Sequence, residues 1–232
     1  PGSDVATNES ESSSEYPWSA LSLPCDPTGP TLLHLRLNGN TFGDLGEVPI
    51  AATGVTFEPG KYGSGALLNS GDNYRYTAAS NINPTTGTVE FWIKPTWNGN
   101  DGLGHVVLRH GVSGGILICK DSGNFWRIIL NRFGASGGPE LGAGLYINDW
   151  VAGQWHHAAF TWAPGSLRVY VDGILRGSAS PPNAPPAVAD PQFQIGADGS
   201  GDYLNAVLDE FIISNVQRSS AQIWARYLDA AP

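Results

Sequence analysis

Trp155-His156-His157-Ala158-Ala159-Phe160-Thr161-Trp162, followed by Ala163-Pro164-Gly165-Ser166 and then by Leu167-Arg168-Val169-Tyr170-Val171-Asp172-Gly173, is the stretch from which the rest of the chain can be read. Two β-favouring runs flank a Pro-Gly pair. Proline presets φ at the first central turn position and glycine accepts positive φ at the next, so the stretch spells a β-hairpin. In its second run Leu167, Val169 and Val171 alternate with Arg168, Tyr170 and Asp172. One face is therefore apolar, and the other is open to solvent, a second sheet or a ligand.

The same alternation recurs on both sides. Leu33, Leu35 and Leu37 alternate with His34 and Arg36 before the turn-rich segment 38–44. Segments 66–68 and 74–76, joined by Asn69-Ser70-Gly71-Asp72-Asn73, are expected to form a further hairpin. Residues 87–95 place Val89, Phe91 and Ile93 on one face and Glu90, Trp92 and Lys94 on the other. Shorter strands are expected at 106–109, 115–119, 125–130, 143–147, 193–196 and 206–213, with 180–191 as a long surface connection. Ser219 caps a terminal helix in which Ile223, Trp224, Tyr227 and Leu228 form an apolar stripe. Thirty glycines and 17 prolines without a long helical period fit many short strands and tight turns. The pattern predicts an all-β antiparallel two-sheet β-sandwich with a short C-terminal helix over residues 31–232. Residues 1–30, rich in Ser and Glu, read as a flexible acidic arm or linker.

The Trp-His-His strand and the following Tyr-Val-Asp-Gly strand resemble the signature of laminin-G-like domains of the concanavalin A-like lectin and glucanase superfamily. Thr88-Val89-Glu90-Phe91-Trp92-Ile93-Lys94-Pro95 is similar to that family's early core strand, and Asp209-Glu210 sits as in its closing strand. The resemblance spans residues 31–229. It implies a concanavalin A-like jelly roll and, through many relatives, a bound calcium. It does not settle function, because the fold hosts unrelated activities.

Composition narrows the chemistry. With 12 Lys and Arg against 21 Asp and Glu, a net charge of −9 and no basic run, the chain is not expected to bind nucleic acid. No apolar run approaches the roughly 20 residues that span a bilayer, so membrane insertion is not expected either. Methionine and a signal peptide are both absent. A removed leader, excision of an initiator Met before Pro1 and a Pro-Gly-Ser scar are all open explanations. Cys25 and Cys119 are either a disulfide or a tail thiol and a buried strand cysteine.

Catalytic signatures are weak. Asp209 and Glu210 are adjacent in a strand, so strand parity sends them to opposite faces and denies them the paired role of a glycosidase. Gly111-Val112-Ser113-Gly114-Gly115 has the letters of a nucleophile elbow but is followed by a strand, so it reads as a hairpin turn. His156 and His157 face opposite ways and cannot chelate one metal. The expectation is a protein that is not an enzyme.

Three loops have the composition of a glycan-binding rim, with Trp97, Asn100 and Asp101 in one, Asp149 and Trp150 in the second and Tyr203 in the third. In the competing reading Trp97 and Trp150 pack over the core. For calcium, the nearest oxygen ligands are Asn38, Asp44 and Asp209, with Asp72 as a further candidate. The function expected is non-catalytic recognition of a glycan or glycoprotein, or adhesion, at an extracellular or cell-surface location. The alternative is a structural or decoration subunit of a virion or surface assembly, with protein partners engaged through the N-terminal arm. A polysaccharide-active enzyme is the third reading.

Overall fold

The structure, a computed structural model, describes residues 31–111, 115–130, 141–181 and 190–229. The acidic arm and Cys25 lie outside these residues, as do residues 112–114 of the elbow-like motif and most of the proline-rich connection. All strand pairs are antiparallel. The first sheet runs β13 (Ile174–Ala179), β12 (Ser166–Val171), β11 (His156–Ala163), β6 (Gly87–Pro95), β15 (Ala206–Ser214), β4 (Ser64–Leu68) and β3 (Thr56–Pro59). β1 (Thr31–Leu35) also pairs with β15, along residues 211–214, whereas β4 takes residues 206–208. The second sheet runs β10 (Leu141–Tyr146), β9 (Phe125–Leu130), β8 (Ile116–Lys120), β7 (His105–His110), β14 (Gln192–Ile195), β5 (Asn73–Thr77) and β2 (Ala51–Thr53). β7 and β8 form a hairpin, so a strand rather than a helix follows the Gly111–Gly115 motif.

Alternation places the core between the sheets. Val89, Phe91 and Ile93 of β6 point inward, as do Ala158, Phe160 and Trp162 of β11 and Leu167, Val169 and Val171 of β12. Phe91 is the hub: it stacks on Phe211 at 5.5 Å and Phe160 at 6.2 Å, and meets Trp126 of the opposite sheet edge-on at 6.4 Å. Gly87 faces Trp162 across the β6–β11 pair, and a Cβ there would fall 2.4 Å from the indole. Only glycine leaves that ring its place.

The β11–β12 hairpin forms as its turn chemistry requires. Gly165 has φ of 74°, in the left-handed region, after Pro164. The next turn is also tight: Asp172 and Gly173 have φ of 50° and 77°, a two-residue loop that turns β12 into β13. Gly173 is crowded as well, since a Cβ would fall 2.6 Å from Trp224 and 3.0 Å from Tyr227 of the helix α1 (Ser220–Leu228).

Two expectations are corrected. Segments 66–68 and 74–76 are not a hairpin: β4 lies in the first sheet and β5 in the second, and the turn at Asn69–Asp72 carries the chain across the sandwich. In α1, capped by Ser219 and Gln222 in a capping box, Ile223 is the buried member of the stripe, while Trp224 is 42% and Leu228 55% exposed. The helix is too short to bury a whole stripe on a sheet face. Among the described residues no helix is long and apolar enough to cross a membrane.

Truncating the hub tests this account. Phe91→Ala should destabilise the domain by about 3–5 kcal/mol, because three rings from two sheets, Phe160, Phe211 and Trp126, lose their common contact. Trp224→Ala should cost about 1 kcal/mol or less. Urea denaturation of both variants measures the difference, and equal losses would refute the hub.

Candidate functional site

One end of the sandwich carries a stack of four rings. His156 lies 4.1 Å from Trp150 with an 8° interplanar angle, Trp150 lies 6.3 Å from Trp97, and Trp97 lies 4.3 Å from His105. Each terminal imidazole is pinned by a carboxylate: His156 Nδ1 is 3.0 Å from Asp172, and His105 Nε2 is 2.8 Å from Asp101. Asp101 also accepts from the fully buried Lys120 ammonium at 2.5 Å. Burial alone pushes the Asp101 carboxyl up, but the bonds from Lys120 and His105 together outweigh it and hold the group below the usual carboxylate range. Asp172 behaves alike: burial raises it, and the His156 ring and the His157 amide bring it down.

The stack joins the three expected loops into one rim. Trp97 Nε1 donates to Leu204 O at 2.8 Å, Gly99 N to Trp150 O at 2.9 Å, and Ala152 N to Asn98 Oδ1 at 3.0 Å. Trp97 and Trp150 are themselves buried, 7% and 4% exposed, so they support the rim from beneath. Asp101 is spent on Lys120 and His105. Tyr203 is half-buried, and its carbonyl binds His105. Asn100 and Asp149 face solvent beside the exposed Leu103 and Val151. The sequence reading missed His105, His156, Lys120 and Asp172. Parity offered one signal for them, because His156 shares the inward register of Ala158 and Phe160.

The expected calcium ligands serve other tasks. Asn38 Oδ1 accepts from Ser64 N at 2.8 Å, and Asp44 Oδ2 meets Arg36 Nε at 2.8 Å and His34 Nδ1 at 3.1 Å. Asp209 is fully buried, with Oδ2 accepting from Tyr62 N at 2.8 Å and Oδ1 from Glu210 N at 2.9 Å. A guanidinium at Asp44 and a turn of backbone amides at Asp209 leave a donor set that does not fit a calcium ion. Asp72 is engaged in its own turn, accepting from Asn69 N at 2.7 Å. Among the described residues no group of three or more His, Cys, Asp or Glu could hold a metal.

Contrary to expectation, Asp209 and Glu210 do not face opposite ways, because a β-bulge interrupts the strand. The β6–β15 register shifts between Asp209 and Ile212, and Glu210 takes φ of 48°. Phe211 then turns inward onto Phe91, while Asp209, opposite Trp92, and Glu210, bound to His34 Nε2 at 2.6 Å, share the outer face. There Glu210 borders a cavity of about 130 Å³ between the sheet and α1, lined also by His34, Glu90, Trp92, His157 and Arg226 among others, while Asp209 stays sealed beneath the β3–β4 turn.

Burial and then the Glu210 charge push the Asp209 carboxyl up to about 6, against the backbone amides that favour its ionised form. A carboxyl with a raised pKa in the fold binds its proton more tightly folded than unfolded. Its penalty is thus present above pH 6 and relieved as pH falls from about 6 towards 4. Carboxyl-carbon NMR should place the Asp209 midpoint near 6, and a midpoint below 4 would refute the assignment. In Asp209→Asn the corresponding stability gain between pH 7 and 4 should disappear.

Comparison with known proteins agrees with this architecture. Residues 69–224 match the laminin G family model described as concanavalin A-like lectin/glucanases superfamily. No curated protein matches the sequence. Among solved structures, the receptor-binding domain of botulinum neurotoxin C/D mosaic serotype superposes with a TM-score of 0.69 at 18% identity, over 85% of this chain and 51% of that one. The serotype G binding domain gives 0.66 at 15% identity, over 86% and 51%. The serotype DC binding domain, solved in complex with rat synaptotagmin II, gives 0.68 at 15% identity, over 86% and 51%. The chain spans about half the length of these structures, and identities this low speak for the fold alone. With the family model matched over most of the described sandwich, the chain belongs to the laminin G family of the concanavalin A-like lectin/glucanases superfamily.

Proposed function

We propose that this domain is a non-catalytic recognition module whose loop rim binds a glycan or glycoprotein at an extracellular or cell surface. The observation that carries the reading is the welding of three loops onto a buried ring stack, which holds Asn100 and Asp149 in fixed relation beside Leu103 and Val151. Polar groups on a pre-ordered rim bind with a smaller ordering cost. The receptor-binding role named for the neurotoxin domains of the same fold supports recognition of a macromolecular partner. Two observations favour a non-catalytic role. Asp209 is sealed beneath the β3–β4 turn, and Glu210 is held by His34, so this carboxylate pair does not flank an open groove.

A second reading, a structural or decoration subunit, draws on the segment after β1. Phe42, Leu45, Val48 and Ile50 are 47–66% exposed there, an apolar patch suited to a protein neighbour.

Glycan-array binding of the purified chain, with calcium and again with chelator, tests the first reading. Binding should survive chelation, because the Asn38, Asp44 and Asp209 oxygens are engaged elsewhere. A double variant Asn100→Ala with Asp149→Ala should lose about tenfold or more, at unchanged stability. Silence in both conditions, together with concentration-dependent self-association, would replace this reading with the subunit.

A further inference from the structure

The cavity beneath α1 has an unusual hydrogen-bond balance. Glu90 is buried in the outer face of β6 at 2% exposure, with Oε1 held by Arg226 Nε at 3.2 Å and Arg218 Nε at 3.4 Å. Its Oε2 has no hydrogen-bond partner. Glu210 repeats the pattern, with Oε2 on His34 and Oε1 without a partner. His157, 3% exposed, contributes an Nδ1 that is also unpartnered, and burial pushes this ring's pKa down so that it stays neutral at pH 7. The guanidinium groups on the walls are matched, Arg226 by Glu90 and Arg36 by Asp44, and the His34 ring lies between Asp44 and Glu210. The groups left over are two carboxylate oxygens and one imidazole nitrogen.

Carboxylates only accept hydrogen bonds, so an occupant must donate. Size narrows it further. A cavity of about 150 Å³ takes one benzene, so this one, at about 130 Å³, admits roughly half a dozen non-hydrogen atoms, about half of a pyranose. Trp92 lines the same space, and the exposed Lys61 of this chain already rests its ammonium 4.1 Å from the centre of that ring. We propose that the cavity is a binding site for a primary ammonium group on a short unbranched chain, its three N–H donors directed to Glu90 Oε2, Glu210 Oε1 and His157 Nδ1. The site is separate from the loop rim and does not rest on the rim's role.

The test titrates propylammonium chloride into the full chain, followed by proton–nitrogen correlation spectra, with propanol and tetramethylammonium as controls. Propylammonium should give saturable shifts at the Trp92 indole and at amides flanking Glu90 and Glu210, and neither control should saturate. Glu210→Gln should weaken binding by about tenfold or more while its spectrum shows an intact fold, because the amide keeps an acceptor for His34. Asn100→Ala at the rim should leave the affinity unchanged. No saturable shift, equal affinity for propanol, or an affinity unaltered by Glu210→Gln would each overturn the proposal.

Discussion

The bulge in β15 is the constraint on which both faces of the first sheet depend. β15 pairs along its length with β6 and divides its other edge between β4 and β1. Where the partner changes, an extra residue enters, and Glu210 adopts a left-handed φ of 48°, a conformation that costs a non-glycine residue about a kcal/mol or more. Without it, residues 211–213 would reverse their faces. Phe211 would leave Phe91, and Ile213 would turn out of the core. The strain is offset by the core contact it permits and by the bonds that Glu210 makes there, from its amide to Asp209 Oδ1 and between His34 and its carboxylate.

The parts of the fold legible in the sequence were those where burial enforces period two. β6, with every second residue committed to the core, is found from Gly87 to Pro95 with its true bounds, and the Pro-Gly hairpin follows from turn chemistry. The edge strands β2, β3 and β13 were not anticipated. They are short or largely exposed, so no apolar alternation marks them, although Asp172-Gly173 was itself a two-residue turn signal that pointed to β13. The turn between β4 and β5 misled because Asn, Gly and Asp specify a reversal and not the sheet in which the next strand lands. The bulge was invisible for a related reason: nothing in Leu-Asp-Glu-Phe announces that glutamate will take a conformation usually left to glycine. At the rim, composition located the loops but could not separate a displayed indole from a packed one. That choice depends on Gly99, where a Cβ would fall 1.6 Å from Ile147 O, bringing the loop down over Trp150.

Buried charge at two places in this molecule has opposite outcomes. Lys120 lies fully buried at the rim, yet its ammonium meets Asp101 and Leu103 O and lies 5.6 Å from the Trp97 ring, while Asp101 also holds His105. Removing one partner from such a network typically costs about 3–5 kcal/mol, since the other charge stays behind in a medium of low polarity. A network of this kind fixes geometry, which is what a rim presenting Asn100 and Asp149 requires.

Beneath α1 the charges also pair, but incompletely. Arg218 and Arg226 both converge on one oxygen of Glu90, and His34 on one oxygen of Glu210, so each carboxylate is half committed. The half that is committed fixes each carboxylate in place, and the other half remains available as an acceptor. Full pairing would have made the cavity one more structural network. No pairing would have left two buried carboxylates that favour their protonated forms. The intermediate arrangement follows from the bulge, which brings Glu210 to the face of Glu90, and from α1, whose Arg226 reaches that face because Gly173 lets the helix lie close to the sheet. Acceptors held in place around a space of about 130 Å³ are complementary to a compact hydrogen-bond donor, and that complementarity arises from the same backbone irregularity that completes the core.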